Sequence, residues 1–141
     1  MNEKFMLRAL EISKNALPYC IPNPPVGCVL VRNGEILSEG FTQPIGGDHA
    51  EVKAFNEYKG NFFGVTAYIT LEPCSFVGRT SACAAMLVNS GIQHVEVAML
   101  DPDPRNSGKG IQILSQANIN VHLGLCQTEV AKFLTPYLGQ S

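Results

Sequence analysis

The order of apolar runs and turn signals predicts an α/β fold, a three-layer α/β/α sandwich around a five-stranded mixed sheet. Three observations carry this. The apolar run Val26–Val31 ends at Asn33-Gly34, a strong two-residue hairpin signal, and a second run returns from Ile36. Strand-like and helix-like segments alternate in the second half of the chain, the pattern of crossover units on parallel strands. A length of 141 residues, 45% hydrophobic and 16% charged, suits one compact domain over residues 1–141.

Taken in order, residues 3–17 place Met6, Leu10, Ser13 and Leu17 on one helical face, flanked by Leu7 and Ala9, and Pro18 limits the helix. A proline-rich turn, Ile21 to Pro25, leads into the hairpin of Val26–Val31 and Ile36–Phe41. A helix is expected from about Asp48 to Tyr58, with Asp48 as its N-cap. A buried strand follows at 66–71, an irregular loop at 72–79, and a helix at 80–90 closed by Gly91. The remaining elements are a strand at 94–100, a helix at 108–117, a strand at 120–125 and a helix at 128–134.

The net charge of −2, with no long run of Lys or Arg, argues against a nucleic-acid partner bound through a broad basic face. A small anionic substrate needs only one or two local cations and stays open. Asn2, Glu3 and Lys4 interrupt what a secretion signal would keep apolar, and no run is long enough to span a membrane. A cytoplasmic protein without a membrane partner is expected. Five cysteines in a reducing compartment point to metal ligands or buried thiols before disulfides.

Two stretches carry chemistry: His49-Ala50-Glu51, and Pro73-Cys74 through Cys83. One imidazole and two thiolates form a set suited to zinc, and three protein ligands leave the fourth tetrahedral position for water. His49 and Glu51 do not share a helix face at their spacing. They converge only on an object beyond the helix N-terminus, toward which side chains lean. Cys83 falls in the first turn of its own helix, after Thr80 or Ser81, so two positive helix ends would face one metal. A zinc-bound water has its pKa lowered toward about 7. Glu51, beside the metal without ligating it, would carry the water's proton to a ring nitrogen and then to the leaving amine. Asp48-x-x-Glu51 also fits a capping box, so both readings of Glu51 stand at this point. Cys20, Cys28 and Cys126 read as packed thiols. Gly108-Lys109-Gly110 lacks a full nucleotide fingerprint and reads as a helix start.

His-x-Glu with Pro-Cys and a later Cys is the zinc deaminase signature, normally with two residues between the cysteines. Here eight residues intervene between Cys74 and Cys83. This longer insert, Glu72-Pro73-Cys74-Ser75-Phe76-Val77-Gly78-Arg79-Thr80-Ser81-Ala82-Cys83, resembles the deaminase domain of riboflavin biosynthesis, a member of the cytidine deaminase-like superfamily. The resemblance continues through Asn23-Pro24-Pro25-Val26-Gly27-Cys28-Val29, Asp48-His49-Ala50-Glu51-Val52 and Asp101-Pro102-Asp103-Pro104, and covers essentially the whole chain. It implies the cytidine deaminase-like fold, zinc on His49, Cys74 and Cys83, proton transfer by Glu51, and a homodimer or larger homo-oligomer. It further implies a pyrimidine substrate, a diaminopyrimidinone carrying a ribosylamino 5′-phosphate. Asn23, Ala50 and position 76 would meet that substrate, with Arg79 and the Asp101–Asp103 loop facing its sugar and phosphate. A guanidinium such as Arg79 also suits bidentate phosphate contact in its own right.

The chain departs from the family pattern at three places. Phe76 stands where a histidine is usual, Ser81-Ala82 replaces Pro-Pro, and Asp103 replaces an asparagine. The reductase domain usually fused to this deaminase is not expected within these residues. Asp103 some 6 Å from a phosphate charge would cost roughly 3 kcal/mol at an effective dielectric of about 20. A relaxed requirement for the phosphate is therefore expected, with Phe76 packing on the ring or an apolar substituent. The alternatives weighed are a deaminase of a free nucleobase, nucleoside or natural-product pyrimidine, a nucleic-acid deaminase, and a non-catalytic zinc-stabilised module. The nucleic-acid reading wants a basic, aromatic channel that the sequence lacks, and a structural zinc site has no use for Glu51.

Overall fold

A computed structural model describes residues 2–75 and 83–138 of the chain. Helix α1 (Glu3–Ser13) continues as a 3₁₀ turn, Lys14–Ala16, and stops before Pro18. Strands β1 (Gly27–Arg32) and β2 (Glu35–Phe41) form the hairpin, with Asn33 at φ 52° and Gly34 at φ 78°. Both turn residues are thus left-handed, as a twist-matched two-residue hairpin requires. Then follow α2 (Ala50–Glu57), β3 (Thr66–Ile69), α3 (Cys83–Ser90), β4 (His94–Val97), α4 (Lys109–Gln116), β5 (Asn120–Leu123) and α5 (Gln127–Leu134).

The sheet order is β2-β1-β3-β4-β5, antiparallel from β2 to β3 and parallel from β3 to β5. This is the expected mixed sheet: the tight turn makes the first pair antiparallel, and α3 and α4 supply the crossovers. Two glycines show that the helices divide between its faces. A Cβ on Gly27 would collide with the backbone of Ala9 in α1, and a Cβ on Gly40 with the backbone of α2. Gly27 pairs with Phe41 and Cys28 with Gly40, so the two glycines point to opposite faces of the pleat and α1 and α2 lie on opposite sides. Among the described residues, no helix is long and apolar enough to cross a membrane.

The buried stripe of α1 is Phe5, Met6, Ala9, Ile12 and Ser13; of the expected face Met6 and Ser13 are buried, whereas Leu10 is only partly so and Leu17 lies beyond the helix. The helix is rotated so that small Ala9 lies over Gly27, which leaves Leu7 exposed. Strands β3, β4 and β5 are also shorter than the apolar runs suggest. Beyond Ile69 and Val97 the chains still exchange single bonds, Ala98 N to Ile69 O (3.0 Å) and Glu72 N to Met99 O (3.0 Å). They bend out of the ladder there, and this bend builds a crevice at the carboxyl ends of β3 and β4, where parallel sheets characteristically bind ligands.

Candidate active site

Helix α2 begins one residue later than its sequence suggests. His49, not Asp48, holds the N-cap position, with extended dihedrals (φ −69°, ψ 163°) and no side-chain cap hydrogen bond. Asp48 therefore lies outside the helix, and the Asp48–Glu51 capping box is not formed. The imidazole is left to turn away from the helix. Its Nδ1 lies 3.1 Å from Cys83 Sγ and 3.9 Å from Cys74 Sγ, and all three donor atoms fall within 4.8 Å of one another.

Cys83 opens α3, and the helix start is turned on the other cysteine. The amide of Cys83 donates to Cys74 Sγ (3.2 Å), and that of Ala84 donates to Cys74 O (3.0 Å). Free amides at a helix N-terminus favour negative charge, here a thiolate. The Cys83 thiol, together with His49, holds the Cys74 thiol down to about 4. Its bond to Cys74 and its own burial push Cys83 up, and the bond to Cys74 raises His49. Burial pushes the Glu51 carboxyl up to about 7, against an opposing pull from His49.

His49, Glu51 and Cys74, though not Cys83, open onto one end of a cavity of about 870 Å³. His49, Ala50, Glu51 and Cys74 line it there, Pro22, Asn23 and Pro24 contribute from the loop before β1, and Asp101 to Arg105 form a wall beyond β4. The structure thus brings Asn23, Ala50, Asp101 and Asp103 to the same cavity as Glu51. Phe76 and Arg79 lie outside the described residues, as do the expected helix caps Thr80 and Ser81.

Asp103 is not the isolated acid the sequence suggests. Arg105 grips it with Nε (3.1 Å to each oxygen) and Nη2 (2.6 Å), and also donates its backbone amide at 2.9 Å. This pairing lowers the Asp103 carboxyl to about 2. Arg105 was overlooked because a lone arginine after Asp-Pro-Asp-Pro resembles any solvated loop charge. Two buried residues were missed as well. Glu72 accepts three backbone amides, and Asn106 bridges Pro73, Ser75 and Asp101. Glu72 was at least visible beside Pro73-Cys74, whereas nothing in the sequence around Asn106 marks it as a buried bridge.

A family model for the cytidine and deoxycytidylate deaminase zinc-binding region matches residues 1–99. The chain is 41% identical over 136 residues to riboflavin biosynthesis protein RibD of Chlamydia muridarum, covering 96% of this chain and 37% of that protein. It is 42% identical over 134 residues to the diaminohydroxyphosphoribosylamino-pyrimidine deaminase of Buchnera aphidicola subsp. Schizaphis graminum, covering 94% and 91% respectively. Form 2 of Acinetobacter baumannii RibD superposes with a TM-score of 0.91 at 41% identity, over 97% of this chain and 39% of that one. The chain therefore spans little more than a third of the RibD proteins it matches. The family match contains His49, Glu51, Cys74 and Cys83 together, and the chain belongs to the cytidine and deoxycytidylate deaminase family.

Proposed function

We propose that this protein is a zinc-dependent hydrolytic deaminase of an aminopyrimidine, with the diaminopyrimidinone ribosylamino-phosphate of riboflavin biosynthesis as substrate. The observation that carries this reading is the His49/Cys74/Cys83 donor set meeting a buried, non-ligating carboxylate at the end of a substrate-sized cavity. The donor set fits zinc. Tetrahedral Zn–N and Zn–S bonds would place nitrogen and sulfur about 3.6 Å apart, and the observed 3.1 and 3.9 Å lie on either side of that. Zinc held there would supply Lewis acidity and a water nucleophile active at neutral pH.

The chain's own residues do the rest. Glu51, only 4% exposed and in the cavity wall beside His49, takes the proton of the attacking water on its carboxylate. It returns that proton to the ring nitrogen. With a second proton passed through the same carboxylate, the bond from the ring carbon to the exocyclic nitrogen breaks and ammonia leaves. Asn23 and Ala50 orient the ring from the loop before β1 and from the first turn of α2. At the far wall, Arg105 offsets Asp103, so the phosphate end meets a neutral pair in place of a bare acid. That pairing removes much of the electrostatic reason for a relaxed phosphate requirement and favours the phosphorylated compound.

The Buchnera deaminase, matched over 91% of its own length, supports this substrate. A cytoplasmic homodimer or larger homo-oligomer completes the proposal, and the five free thiols suit a reducing compartment. The test is ammonia release from zinc-loaded protein. The panel is the phosphorylated diaminopyrimidinone, its dephosphorylated form, cytosine and cytidine. Turnover of the phosphorylated compound by a large margin is expected. A preference for cytosine or cytidine overturns the substrate, and ammonia from none of the four overturns the activity.

A further inference from the structure

The cavity has two walls that do different work, the Cys74 segment and the Asp101–Arg105 loop, and both hang on the same two buried side chains. Glu72 follows β3, and its Oε1 accepts from the amides of Asp101 (3.1 Å) and Gly108 (3.0 Å), while its Oε2 accepts from Ile111 (3.1 Å). One carboxylate thus holds the start of the far wall and the first turn of α4. Asn106 returns the connection from the other side. Its Oδ1 accepts from the amide of Ser75 (3.0 Å), and its Nδ2 donates to Pro73 O (3.2 Å) and to Asp101 Oδ2 (3.3 Å).

Packing supports the same junction. A Cβ on Gly110 would collide with the carbonyl of Pro73 and lie 3.1 Å from Glu72 Cγ, so α4 sits at a distance that only glycine permits. From Asp101 the order runs on into the wall. Asp101 Oδ1 accepts the amide of Asp103 (3.0 Å), and Asp103 Oδ1 accepts that of Arg105 (2.9 Å).

We infer that Asn106 and Glu72 are positioning residues that set the substrate-facing wall against the Cys74 segment. Asn106, fully buried behind the wall, acts through Asp101 and does not touch substrate. Buried polar bridges of this kind are costly to break on one side only, because each lost partner leaves a desolvated group behind. The wall contacts the end of the substrate remote from the reacting amine. Its loosening therefore weakens ground-state and transition-state binding alike and leaves the chemical step intact.

The test uses Asn106→Ala in the zinc-loaded protein. Ile12→Ala in α1, on the opposite face of the sheet, serves as a control chosen for a comparable loss of melting temperature. Hydrogen exchange at the amides of Asp103 and Arg105 is expected to rise about tenfold or more in Asn106→Ala and to stay at the wild-type rate in the control. KM for the phosphorylated diaminopyrimidinone is expected to rise roughly 10- to 100-fold, the range of other supporting-shell substitutions, with kcat nearly unchanged. Should Asn106→Ala not fold, Asn106→Asp makes the same test, since it keeps an acceptor for Ser75 while losing both donated bonds. Unchanged exchange, an equal effect in the control, or a fall in kcat at constant KM would overturn the inference. The KM arm rests on the proposed activity. If wild type releases no ammonia, that activity fails, and the exchange arm still decides the role of Asn106.

Discussion

Gly40→Ala tests whether the sheet sets the position of the catalytic helix. A Cβ at position 40 would lie 2.5 Å from Ala50 O and 2.6 Å from Ala54 N, both backbone atoms of α2 that cannot rotate away. Restoring an ordinary contact of 3.4 Å requires α2 to retreat by 0.9 Å from β2. Overpacking of this kind costs about 1–3 kcal/mol. For a chain of 141 residues that lowers the melting temperature by roughly 3–10 °C. The functional loss should be larger than the stability loss, because α2 carries Glu51 in its first turn and His49 at its cap. A misplacement near 1 Å can cost about 100-fold in rate. Gly34→Ala is the control: it strains the hairpin turn, where φ is +78°, but meets nothing within 4 Å. The assay is ammonia release, corrected for folded fraction, beside zinc content and thermal melting. If Gly40→Ala keeps full activity, or loses no more than Gly34→Ala does, the placement of α2 does not depend on that close approach.

Glu51→Gln should keep one zinc per chain by elemental analysis yet lose about 10²–10⁴ or more in kcat; near-normal turnover would mean another group carries the proton. His49→Ala and Cys83→Ala should instead hold less than one equivalent of zinc after dialysis, and chelation should lower the wild-type melting temperature reversibly. Full metal content in either variant rejects the donor set. Asp103→Asn should remove a negative charge from that wall and raise kcat/KM for the phosphorylated compound relative to its dephosphorylated form, while Arg105→Ala should lower that ratio. The opposite ordering would place the phosphate elsewhere.

The parts of the fold legible in the sequence are those decided locally. Asn33-Gly34 sets the hairpin through two left-handed residues, and the alternation after β3 yields the parallel half of the sheet. What local pattern missed was decided by packing at a distance. The rotation of α1 follows from Gly27 meeting Ala9, a contact between two elements that periodicity within either cannot reveal. The helix at Asp48 starts late because His49 is drawn toward two cysteines that arrive 25 and 34 residues later. At the site, residue types whose chemistry is specific in combination were readable: His, Glu and the two Cys. Glu72 and Asn106 act by accepting and donating ordinary backbone hydrogen bonds, which any buried Glu or Asn would do.

Charge at the site sets Glu51 apart from the other acids. Four carboxylates line the cavity, Glu51, Glu72, Asp101 and Asp103. Glu72 is held by three backbone amides, Asp103 by a forked guanidinium and an amide, and Asp101 by Asn106 and the amide of Asp103. Each of these has donors supplied by fixed structure, which commit it to a place, although burial still raises the Asp101 carboxyl above its ordinary value. Glu51 is different. Burial dominates its surroundings, opposed by the charge of His49, its own amide and the thiol of Cys83. The thiol is a group that a metal would claim, since it binds as thiolate, and a thiolate has no proton to donate. Were zinc held at His49, Cys74 and Cys83 as proposed, Cys83 would be a thiolate and Glu51 would lose that donor. The fold ties three of the acids to fixed donors and leaves Glu51 buried, its carboxyl pushed up to about 7.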